Sequence, residues 1–172
     1  ATLARLAGRD QLTEERVRTA YAALRGVLDG TKTGPVPLAQ IAAAVQGTDT
    51  EARMLLGVLE QVGLIRRHYD APQTLTIQRL APRFGGRPDP ALQAFCAAAN
   101  LVAQTHASGD FAGLAAATHI PIEALEARLL AWQDEGFLRC YPAGRVPLIS
   151  LLPQPADAAQ RIESLLARRA AV

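Results

Sequence analysis

An α+β fold, mainly helical and finished by small β-hairpins, is predicted by three features of the 172-residue chain. The chain contains an internal repeat. Its apolar residues recur at helical spacing between cap residues, and a Pro-, Gly- and Arg-rich stretch separates the two copies.

The repeat is visible without a gap. "LAQIAAAVQGTDTEARMLLGVLEQVGLIRRHY" (38–69) lies over "FAGLAAATHIPIEALEARLLAWQDEGFLRCYP" (111–142) at an offset of 73. Ala42 to Ala44 meet Ala115 to Ala117, and Leu56, Gly63 and Arg66 meet Leu129, Gly136 and Arg139. The apolar pairs Ile41/Leu114, Leu59/Trp132, Leu64/Phe137 and Ile65/Leu138 share the register.

Taken in order, a first helix starts after Thr13, whose hydroxyl can cap it, with Glu14 and Glu15 suited to the positive end of the dipole. Val17, Tyr21, Leu24 and Leu28 form its inner face. In the second copy Asp89 caps and Pro90 takes the first helical position, and the helix is expected to run through Leu92, Phe95 and Cys96 towards His106. A short alanine-rich helix follows ("PLAQIAAAV", "DFAGLAAAT"), then a turn ("QGTDT", "HIPIE"). The third helix turns Ala52, Leu55, Leu56, Leu59 and Val62 inward, or Leu125, Leu129 and Trp132 in the second copy. Gly63 and Gly136 end it, glycine being the residue that most easily takes the left-handed C-terminal conformation. A hairpin is expected next: "LIRRHY", "DAPQ", "TLTIQRL" in one copy and "FLRCY", "PAGRV", "PLISLL" in the other.

Helix, helix, turn, helix and hairpin is the winged helix-turn-helix layout, so the sequence predicts two such domains in tandem. They span 1–82 and 91–154, with a linker at 83–90 and a C-terminal helix at 155–172.

Composition narrows the function. At 49% apolar and 20% charged the chain can bury a core. It has no apolar run of about 18 residues and no signal-peptide pattern, which predicts a soluble intracellular protein with no membrane partner. Beginning at Ala1, it reads as a piece of something longer. Charge is uneven: residues 1–87 carry 12 Lys/Arg against 8 Asp/Glu, and 88–172 carry 6 against 8, so the first half suits a polyanion.

Little points to catalysis or a metal. Cys96 and Cys140 stand alone, His68, His106 and His119 are scattered, and neither a GxxxxGK[ST] nor a GxGxxG loop is present. No catalytic residue, metal site or cofactor is therefore expected in these residues.

The outward residues of the third helix and the wing are the candidates. Copy one presents Thr50, Arg53, Met54, Gly57, Glu60 and Gln61, flanked by Lys32 and by Arg66, Arg67, His68 and Tyr69 on the wing. Arginines beside a stackable aromatic suit duplex or junction DNA, whereas a solvated basic rim is the plainer reading. The sharper expectation falls on Arg67 and His68, which copy two lacks. Copy two presents Glu123, Glu126, Ala127, Leu130 and Gln133, a face that phosphate would repel and a protein partner could cover.

"LEQVGLIRRHYDAPQTLTIQRL" resembles the winged-helix segment that follows the motor domains of RecQ-family DNA helicases, and "LISLLPQPADAAQRIESLLARR" is similar to the segment after a second such unit in some bacterial members. The resemblance implies a non-catalytic accessory module that engages duplex or forked DNA in replication, recombination and repair, in a bacterial, nucleoid-associated, cytoplasmic protein. ATP and Mg would belong to a motor domain elsewhere in the same chain. The resemblance maps Thr50, Arg53 and Met54 to the recognition helix and Arg66, Arg67, His68 and Tyr69 to the wing. The family's ATP-binding motifs and four-cysteine zinc module are missing from these residues. Two other readings stay open: a protein-protein adaptor of the chromosome-segregation type, and a transcriptional regulator, against which Glu51 and Glu60 argue.

Overall fold

The computed structural model describes residues 12–81, 87 and 89–171. The beginning of segment 1–82 and most of the 83–90 linker thus lie outside the described residues. The fold is α+β: seven helices and a four-stranded antiparallel sheet among the described residues.

The chain forms two compact units, residues 1–69 with 147–172 and residues 70–146. Among the described residues unit 1 begins with α1 (Glu14–Leu28), capped by the Thr13 hydroxyl, which accepts from the Arg16 N–H. It continues through β1 (Thr33–Pro35), α2 (Leu38–Ala44) and α3 (Asp49–Val62) into the first residues of β2 (Ile65–Arg79). It is completed from Pro147 onward by the end of β4 (Leu138–Leu151) and by α7 (Ala158–Ala170). Unit 2 holds the rest of β2, then α4 (Pro90–Ala98), β3 (His106–Asp110), α5 (Phe111–Thr118), α6 (Ile122–Asp134) and β4 up to Val146. β1, α2, α3 and β2 begin 73 residues before β3, α5, α6 and β4, so the repeat in sequence is a repeat in structure.

Three elements differ from the sequence reading. The sequence does not predict β1 and β3, because "TGP" and "HASGD" carry no apolar alternation. α4 stops at Ala98, and His106 opens a strand rather than closing a helix.

The hairpins are also corrected. β2 does not turn back at "DAPQ"; it runs as one 15-residue strand, and β4 likewise runs through "PAGRV". A tight hairpin turn needs residues at positive φ, and none of residues 65–79 has one. Gly144 (φ 71°) is the one such residue in β4, where a Cβ would stand 3.2 Å from the Gln73 side chain.

Each unit is therefore closed by the strand that the sequence assigns to the other copy. In unit 1 the order is β1, β4, β2, with Thr33 opposite Ser150 and Pro35 opposite Leu148. In unit 2 it is β4, β2, β3, with Thr74 opposite Asp110 and Gln78 opposite His106. For this reason the compact units divide after Tyr69 and Val146 and do not coincide with segments 1–82 and 91–154.

The core of unit 1 joins Val17, Leu24, Ile41, Leu55, Leu56 and Leu59 to Ile149 of β4 and Ile162 of α7. The C-terminal helix predicted over 155–172 is thus part of unit 1. In unit 2 Phe95 and Trp132 pack with ring centroids 5.2 Å apart, and the Trp132 indole N–H points to the Asp89 carboxylate at 3.5 Å. Trp132 is a core residue, 2% exposed.

Candidate nucleic-acid interface

α3 is set firmly. Its N-terminus carries a reciprocal capping box: the Glu51 N–H donates to the Thr48 hydroxyl at 3.2 Å, and the Thr48 N–H donates to Glu51 Oε2 at 2.6 Å. Gly63, at φ 88°, ends it. With Ala52, Leu55, Leu56, Leu59 and Val62 inward, Thr50, Arg53 and Met54 are left exposed on the opposite face, as the helical spacing requires.

The two acidic groups that argue against a groove-reading helix are both engaged. Glu51 is folded into the cap and lies 3.5 Å from the Arg16 guanidinium. Glu60 accepts from Arg67 Nε at 2.7 Å. Their charge is offset locally, which reduces the repulsion a phosphate would meet.

Strand geometry separates the four residues expected to act together on the wing. Successive side chains of a strand point to opposite faces. Ile65 is buried in the helical core, so Arg67 shares the α3 side and reaches Glu60. Arg66 and His68 belong to the other face. Arg66 is exposed and makes no ion pair among the described residues.

His68 is half-buried and tied across the sheet. Its Nε2 lies 2.7 Å from the Ser150 hydroxyl, which lies 2.7 Å from the Thr33 hydroxyl, a ladder through β2, β4 and β1. Tyr69 is 40% exposed at the last position of unit 1's β2 segment. Lys32 is exposed ahead of β1, and its carbonyl accepts from the Leu151 N–H at 2.7 Å.

The expectation placed on Arg67 and His68 is thus qualified: one is held by Glu60, the other is part of the sheet's hydrogen bonding. The cationic side chains of the candidate set free of an ion pair among the described residues are Lys32, Arg53 and Arg66. Sequence reasoning did not place Arg169, which α7 brings beside α3, its Nη2 donating to Gln61 Oε1 at 3.3 Å. The basic end of that helix was visible in the sequence; its docking site was not.

The matching face of unit 2 is different. Glu126 pairs with Arg145 at 2.9 Å, Gln133 Oε1 accepts the Cys140 N–H at 2.9 Å, and Leu130 is 55% exposed. Cys140 is free, and burial pushes its thiol up to about 11. Among the described residues no three His, Cys, Asp or Glu side chains come together as a metal site, and no helix is long and apolar enough to cross a membrane.

Charge follows the units. Unit 1 contains 12 Lys/Arg and 9 Asp/Glu, unit 2 contains 6 and 7, giving +3 and −1. No family model, curated protein or solved structure matches the chain.

Proposed function

We propose that the chain is a tandem winged helix with exchanged third strands, and that unit 1 binds duplex or forked DNA. The helix, strand, helix, helix, strand order of each unit's described residues supports this reading, with the third strand supplied from the other repeat. In this reading α3 presents Thr50, Arg53 and Met54 to the groove, while Arg66 and Lys32 meet phosphates. Arg67 stays on Glu60, which keeps that acid compensated beside the phosphates.

The single observation that carries the proposal is the exposed, acid-compensated outer face of α3 in the unit of net charge +3. Given the resemblance of residues 59–80 to the RecQ winged-helix segment, the natural context is the accessory region of a RecQ-like helicase in replication or repair, whose motor domain, with ATP and Mg, belongs to the same longer chain. No catalytic step is assigned to these residues.

Competition binding tests it. At low salt the chain is expected to bind a forked duplex more tightly than a plain duplex of equal length, and to do so as a monomer. Absence of binding to either would end the DNA reading. Equal binding to both by a stable dimer would favour a regulator.

A further inference from the structure

Unit 2 contains an open cavity of about 510 Å³. Leu92, Cys96 and Phe137 give it an apolar floor, Arg79 and Thr105 stand on its wall, and Val102 lines it while 62% exposed. Two backbone bonds fix the frame: the Arg79 N–H donates to the Thr105 carbonyl and the Leu80 N–H to the Phe137 carbonyl, both at 2.8 Å.

The repeat shows what stands over the matching floor in unit 1. In unit 1 the corresponding bond runs from the Leu152 N–H to the Leu64 carbonyl at 3.0 Å, and the chain continues into α7. Ala158 and Ile162 of α7 then join the core with Leu64 and Ile65. At Gly63 a Cβ would meet Arg161 at 3.5 Å and Pro155 at 3.9 Å, whereas at its counterpart Gly136 it would meet nothing within 4 Å. Among the described residues unit 2 has no counterpart of α7.

The chemistry selects a ligand class. A cavity of this size with an apolar floor and few polar groups is what small-molecule sites have. Arg79 makes no ion pair among the described residues. Its charge lies near enough to Cys96 to oppose the burial that raises that thiol. A cation beside an apolar floor matches a carboxylate joined to hydrocarbon, since guanidinium and carboxylate pair through two parallel hydrogen bonds.

We propose that this cavity binds a small apolar monocarboxylate, its hydrocarbon on Leu92, Cys96 and Phe137 and its carboxylate on Arg79. The site is independent of the DNA reading of unit 1.

Decanoate is the probe, titrated into the whole chain while amide shifts and alkylation of Cys96 are followed, with Cys140 as the internal control. Decanoate is expected to protect Cys96 but not Cys140 and to shift Val102 and Thr105. Decanol, of the same length without the charge, is expected to bind about tenfold more weakly, about 1.4 kcal/mol, and Arg79→Gln to abolish that difference while leaving decanol binding unchanged. Equal affinity for the two in the unmodified chain, or no protection of Cys96, would overturn the proposal. Displacement of decanoate by a peptide copying α7 at concentrations where decanol does not compete would assign it to a helical partner instead.

Discussion

Cutting the chain after residue 82 leaves all of copy one as the repeat defines it, yet removes part of unit 1. The fragment 12–82 lacks Ile149 and Ile162, which are 0% and 5% exposed in the unit 1 core. Burying an aliphatic side chain of that size contributes about 1.5–3 kcal/mol, so the two together contribute roughly 3–6 kcal/mol. Besides the β1–β4 ladder, three backbone hydrogen bonds also go: Val36 N–H to Pro147 O, Leu151 N–H to Lys32 O, and Leu152 N–H to Leu64 O. At a net of about 0.5–1.5 kcal/mol each, they add roughly 1.5–4.5 kcal/mol. A domain of the 95 residues of unit 1 has only about 5–14 kcal/mol to lose, at roughly 0.05–0.15 kcal/mol per residue. Fragment 12–82 is therefore expected to be unfolded at 25 °C, and a fragment from 89 to 172, which lacks residues 70–79 of unit 2, likewise. The assay is amide dispersion in a heteronuclear NMR spectrum together with a thermal melt. A dispersed spectrum and a cooperative melt for 12–82 alone would show that residues 74–79 fold back to complete their own sheet, and the strand exchange would be refuted.

Other consequences are open to test. Ser150→Ala leaves His68 and Thr33 without their shared hydroxyl and is expected to cost about 1–3 kcal/mol in denaturant unfolding, with DNA affinity unchanged. Loss of DNA binding at constant stability would instead make the ladder part of the interface. Gly63→Ala places a Cβ at φ 88° and is expected to cost about 1–2 kcal/mol of stability; an unchanged melt would contradict the left-handed helix end. Cys140, raised by burial from 9.0 to about 11, holds a roughly hundredfold smaller thiolate fraction at pH 8 than an unperturbed thiol. Its alkylation in the folded chain is expected to rise with pH through a midpoint near 11. The raised pKa also means that this thiol supports the fold below pH 9 and that its contribution fades as pH rises towards 11; a midpoint near 9 would remove the burial argument.

Much of the fold follows from short-range chemistry. Thr13, Thr48 and Asp89 cap the helices the spacing assigns them, and Gly63 and Gly136 take positive φ at the ends of the repeated third helix. Period and capping are local properties, so one sequence carries them. The partner of a strand is not local. Leu75 and Ile77 alternate in the same way whether residues 74–79 return to their own unit or close the other, and only packing decides between them.

The candidate site divides along the same line. That Thr50, Arg53 and Met54 face away from the core follows from 3.6-residue spacing. That Arg67 turns to Glu60 while Arg66 faces the other way depends on which residue of β2 is buried, and "IRR" does not say. The tie of His68 to Ser150 joins residues 82 apart in sequence and needs the exchanged strand to exist. Arg169 reaches α3 for the same reason: α7 belongs to unit 1 only because the end of β4 does.

The central claim, that unit 1 holds DNA through its own exposed arginines, is tested most directly by the slope of log affinity for a forked duplex against log salt. Each phosphate contact contributes about 0.9 to that slope, so Arg53→Ala with Arg66→Ala is expected to lower its magnitude by roughly two. The paired change Arg128→Ala with Arg139→Ala, in unit 2, is expected to leave it unaltered. A slope unchanged by the first pair, or lowered equally by the second, would contradict the assignment of the interface to unit 1.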